Sequence, residues 1–67
     1  MNTRDVLLKM ALDSQERIRD LETFSKQVDD NEVKEAFQEF AEQTGLQSRR
    51  IRELLDKYEN NMRNGIH

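Results

Sequence analysis

Between Val33 and Tyr58 the larger or uncharged residues recur at Val33, Phe37, Phe40, Thr44, Gln47, Ile51, Leu54 and Tyr58, in alternating steps of four and three. Only an α-helix gathers such positions onto one stripe, and nearly four heptads of it predict a helix that packs lengthwise against others. Ala36, Ala41, Ser48 and Leu55 flank the stripe and widen it into a core-facing surface. In the middle the stripe turns polar, at Thr44 and Gln47, with Gly45 between them. An earlier stretch repeats the pattern with Leu7, Ala11, Ser14, Ile18, Leu21, Ser25 and Val28. Leu8, Leu12 and Phe24 broaden that face, and Met10 adds a flexible filler.

These patterns predict a helix over about 3–28, a turn at about 29–31, a second helix over about 32–62 and a frayed tail at 63–67. Asn2 or Thr3 can cap the first helix. Asp29 with Glu32 three residues on resembles a capping box, and Asp30 is an equal candidate. Asp13 before Arg17 and Glu22 before Lys26 have the favourable i,i+4 order for ion pairs. Asn64-Gly65 carries a helix-stop signal. Gly45 lies within the second helix at a cost of about 1 kcal/mol relative to Ala. It reads as a tolerated glycine or kink, or as a place where another helix approaches the small patch Ala41, Gly45 and Ser48; a break at Thr44-Gly45 would give three helices instead.

Two helices joined by a short turn lie antiparallel. The expected fold is therefore an all-α two-helix hairpin, a single domain over 1–67. Its middle would carry a layer of neutral polar side chains: Ser14, Gln15, Thr44 and Gln47. One hairpin contact cannot cover all the apolar positions, each worth about 1.5–3 kcal/mol when buried. A second copy would complete a two-fold four-helix bundle, with Leu8, Phe37, Phe40, Thr44, Gly45, Gln47, Ile51, Leu54 and Leu55 at the self-association interface. Glu39 and Glu42 of one chain would then approach Arg49 and Arg52 of the other across a crossing near Gly45, fixing register more than strength.

Composition narrows the functions open to such a bundle. Sixty-seven residues form one small domain, and domains this small usually need a staple or a partner. The chain has no cysteine and a single histidine, His67, read here as disordered, so neither a disulfide nor a thiolate or multi-histidine metal site is expected within it. A net charge of −3 argues against general nucleic-acid binding, and Arg49, Arg50 and Arg52 read as a solvated or salt-bridged face. No apolar run has the length of a membrane span, and the first residues lack the pattern of a signal peptide, so the expected location is the cytoplasm. Ser14, Ser25 and Ser48 have no histidine partner for a nucleophilic site. No catalytic, cofactor-binding or metal-ligating residue is assigned, and an enzyme is not expected.

Two resemblances extend this reading. Ala11-Leu12-x-x-Gln15, Phe24 and Glu32-Val33-Lys34-x-x-Phe37-x-x-Phe40-Ala41-Glu42 resemble one half of a rubrerythrin or ferritin-like bundle. That resemblance implies a dinuclear metal layer, but Gln15, Thr44 and Gln47 stand where the family has ligand Glu, Glu and His. The substitutions remove the anionic charge that would hold iron or manganese, leaving residual metal binding as an alternative reading. Leu21-Glu22-Thr23-Phe24, Gln27, Lys34, Phe37 and Gln43-Thr44 are similar to a family of short helical-hairpin proteins of endospore-forming bacteria known as a domain of unknown function. Gly45 departs from the Gln found after Gln-Thr there. This resemblance implies a sporulation or spore-germination setting, in the forespore or spore. The expected function is thus a non-enzymatic, self-associating structural or interaction protein, forming a homodimer or higher homo-oligomer. The alternative is an adaptor whose stripe binds a different helical protein.

Overall fold

A computed structural model describes the backbone of residues 2–65 and the side chains of residues 2–61. It holds α1 (Thr3–Ser25) and α2 (Asn31–Gly65), packed as an antiparallel hairpin. The Asn2 side chain caps α1, its Oδ1 accepting from the Asp5 N–H at 2.8 Å. Asp30 caps α2, its Oδ1 accepting from the Val33 N–H at 3.0 Å. Each satisfies a donor that the first helical turn leaves open.

α1 ends at Ser25, three residues before the expected boundary. Lys26 donates to the Thr23 carbonyl at 3.2 Å and Gln27 to that of Phe24 at 3.0 Å. These i→i−3 bonds tighten the last turn and close the helix without any residue at positive φ. The connection is therefore residues 26–30, and Val28 is half-buried within it. α2 is continuous through Thr44-Gly45, so the chain has no third helix there. It also runs past the expected boundary near 62 to Gly65; Ile66 and His67 lie outside the described residues.

From Leu7 to Ser25 the α1 seam matches the sequence pattern position by position. Leu7, Ser14 and Ile18 are half-buried, and Ala11, Leu21 and Ser25 are buried. In α2 the seam differs from the expected one. Its less exposed row runs Lys34, Phe37, Ala41, Thr44, Ser48, Ile51, Leu55 and Tyr58. Val33, Phe40, Gln47 and Leu54, placed in the seam by the sequence pattern, lie instead on its exposed flank. Both rows share Phe37, Thr44, Ile51 and Tyr58 and differ by one position elsewhere. Two helices approach closely through small side chains, and Ala41 and Ser48 allow that approach where Phe40 and Gln47 would hold the helices apart.

The result is long and thin. The Cα trace measures 56 × 18 × 12 Å, so the molecule is about one helix diameter thick. Its radius of gyration is 15.8 Å, against roughly 11 Å for a compact chain of this length. Ala11 and Leu21 are the only buried hydrophobic residues among those described.

Candidate interaction surface

The two flanks of the seam differ in chemistry. One flank is polar and tied together within the chain. With its oxygen turned toward Arg52, the Gln15 carboxamide accepts hydrogen bonds from that guanidinium. Arg4 Nε donates to Glu59 Oε1 at 3.0 Å near the open end, linking the two helices. Leu8 and Gly45 belong to this flank by heptad position, together with Gln15, Arg52 and Glu59. A Cβ built on Gly45 would meet nothing within 4 Å, so within the chain no helix makes a close approach there.

The opposite flank is apolar and open. On α1 the residues Thr3, Met10, Arg17 and Phe24 recur every seventh position; on α2 Val33, Phe40, Gln47, Leu54 and Asn61 do the same. Arg17, Phe24 and Phe40 line one groove of about 490 Å³ with Leu21 and Phe37, and Asp13, Glu16 and Asp20 edge it on the α1 side. Thr3, Leu54 and Asn61 line a second, of about 350 Å³, with Leu7 and Tyr58. The two rows therefore front the same face. Met10, Phe24, Val33, Phe40 and Leu54 are all exposed there, Phe24 at 49% and Phe40 at 44%. The Phe37 and Phe40 rings lie 6.5 Å apart and tilted by 37°, a favourable aromatic geometry that leaves the outer ring facing water.

The expected polar layer is rearranged. Ser14 and Thr44 are half-buried, and the Ser14 Oγ donates to the Ala11 carbonyl at 2.8 Å. Gln15 is half-buried against Arg52, whereas Gln47 is exposed on the apolar flank. Ser48, read in the sequence as a flanking residue and as part of the small patch with Ala41 and Gly45, is buried at 5% and completes the middle of the seam. Gln15 and Gln47 thus lie on opposite flanks and do not converge with Thr44 on one point. Among the described residues no group of three or more His, Cys, Asp or Glu side chains is placed to hold a metal ion.

The expected interface residues divide three ways. Phe37, Thr44, Ile51 and Leu55 are half-buried in the hairpin's own seam. Phe40, Gln47 and Leu54 stand on the open apolar flank, while Leu8 and Gly45 are on the opposite one. Met10 and Phe24, read as additions to the inward α1 surface, are exposed on the same flank as Phe40. Their seven-residue spacing with Thr3 and Arg17 is the sequence signal for that placement. The charges also pair within the chain. Asp13 bonds back to Lys9 at 2.8 Å, Arg50 pairs with Glu53 at 3.3 Å, and Arg52 turns to Gln15. The Lys9 ammonium is held above its ordinary pKa of 10.5, first by its hydrogen bond to Asp13 and then by that carboxylate's charge.

Among the described residues, no helix is long and apolar enough to cross a membrane. Comparison with protein-family models, with curated proteins and with solved structures finds no match to this chain.

Proposed function

We propose that this chain is a non-enzymatic structural or interaction protein that acts as a self-associated helical bundle, a second copy covering its apolar flank. One observation carries the reading. Five large apolar side chains on one face of the hairpin, Met10, Phe24, Val33, Phe40 and Leu54, are 36–49% exposed, in two groups on either side of Arg17 and Gln47. Exposed apolar patches of this kind mark interaction sites.

The chemistry of the middle supports a structural role. The polar groups there are the Ser14, Thr44 and Ser48 hydroxyls in the seam and the Gln15 carboxamide beside the Arg52 guanidinium on its flank. Such a layer suits register between helices rather than proton transfer or metal ligation. The resemblance to helical-hairpin proteins of endospore formers adds a setting to the proposal, sporulation or spore germination.

Thermal melts followed by circular dichroism, at protein concentrations spanning two or three decades, test the reading. Self-association predicts high helicity and a midpoint that rises with concentration. A midpoint independent of concentration in a fully helical chain would overturn it. A chain that is poorly helical at every concentration, yet folds when mixed with a different helical protein, would assign the same face to an adaptor role.

A further inference from the structure

We propose that the second copy docks face to face on the apolar flank, with the two turns at the same end and the two-fold axis parallel to the helices. This rests on the self-association proposed above and adds its geometry. An isologous contact between two such faces has two simple arrangements. With the axis along the hairpin, α1 of one copy lies over α2 of the other and every level is kept. With the axis across the hairpin, α1 lies over α1 and α2 over α2, end for end.

The residues on the face distinguish the two. Phe24 and Phe40 share a groove near the turn, so Arg17 and Gln47, each seven residues away toward the open end, are level with one another. Seven residues further, so are Met10 and Leu54. The axis along the hairpin therefore sets Phe24 against Phe40 of the other copy, Arg17 against Gln47, and Met10 against Leu54. Aromatic meets aromatic, a guanidinium meets an amide acceptor, and thioether meets alkyl. The crosswise axis sets Arg17 against its own copy and splits the aromatic pair from its match.

The rims agree. Asp13 and Asp20 edge the α1 side of this face, and Lys57 edges the α2 side, with Arg50 seven residues before it. The axis along the hairpin brings Asp13 level with Arg50, and sets Asp20 by Gln43 and Lys57 by Val6. The crosswise axis, through the level of Arg17, sets Asp13 against Asp20 of the other copy. Exposed ion pairs add little strength, and Asp13 and Arg50 each have a partner on their own helix. Like-charge juxtaposition is still penalised, so the rims choose orientation.

Spin labels on single introduced cysteines test this in the full chain, which has no cysteine of its own. Asp29→Cys places the label in the turn and Asn60→Cys near the open end; both positions are exposed, and neither is a cap. Dipolar distance measurement is expected to give about 20–30 Å for each variant, the width of a bundle of helices 8–10 Å apart plus the label arms. Distances near the length of the hairpin, about 50 Å at 1.5 Å rise per residue, would overturn the orientation and leave self-association standing. Absence of dipolar coupling in a sample that light scattering shows to be monomeric would overturn self-association itself. The two labels check each other if one of them disturbs folding.

Discussion

Gly45 has the environment of an exchangeable helix residue rather than a contact glycine. Nothing lies within 4 Å of the Cβ that an alanine would add. Gly45→Ala is therefore expected to stabilise the chain by up to about 1 kcal/mol, through helix propensity alone. For a domain of this size that raises the melting midpoint by about 4–8 °C, compared at equal protein concentration. A fall in midpoint would mean that another helix does press on Gly45, as one reading of the sequence expects. Asp30 is the opposite case, since its carboxylate closes the first turn of α2. Asp30→Ala should cost about 1 kcal/mol in the same melt, and an unchanged midpoint would remove the cap from the list of stabilising contacts. The Lys9–Asp13 pair gives a pH signature with a definite sign. Lys9 holds its proton above the ordinary value of 10.5 when folded, so the pair's contribution is complete below that pH and is lost as the pH rises through the raised value. Asp13→Asn should return the Lys9 titration, read by NMR, toward its ordinary value. Because both side chains are exposed, the melting midpoint should barely move.

α1 was legible in the sequence and α2 only partly so, for a physical reason. In α1 one four-three row holds Leu7, Ile18 and Leu21 with small residues between, and no competing row is as apolar, so pattern and packing agree. In α2 two rows share Phe37, Thr44, Ile51 and Tyr58. Hydrophobicity favours the row with Val33, Phe40 and Leu54; helix approach favours the row with Ala41 and Ser48. Periodicity cannot separate them, because the apolar stripe is wider than one helix contact. The same ambiguity hid the placement of Gln47 and the burial of Ser48, and no spacing rule announces that Arg52 will turn to Gln15. The turn begins a few residues before the spacing predicts, because Val28 continues the α1 spacing although it belongs to the connection. Leu21 and Leu46 provide a direct check of this packing. Leu21, the largest buried hydrophobic residue at 9% exposure, should cost about 2–4 kcal/mol when changed to Ala. Leu46, at 65% exposure, should cost no more than about 0.5 kcal/mol. Equal losses in denaturant melts would mean that the α2 seam has been assigned to the wrong side.

The whole molecule is a plank rather than a globule, one helix thick and three times as long as it is wide. With Ala11 and Leu21 as its only buried hydrophobic residues among those described, it has little core of its own. Its polar flank is closed by Gln15–Arg52 and Arg4–Glu59, while its apolar flank presents Phe24, Phe40 and Leu54 to water. An excess of apolar surface over what one hairpin can hide was readable from the sequence; which flank carries it was not. Mass by light scattering, for the native chain and for Phe40→Glu, tests this most directly. The native chain should scatter as twice its 8.0 kDa at micromolar concentration, and Phe40→Glu should scatter as a single chain. A native chain that is fully helical and stays at 8.0 kDa throughout would contradict the proposal that a second copy covers this face.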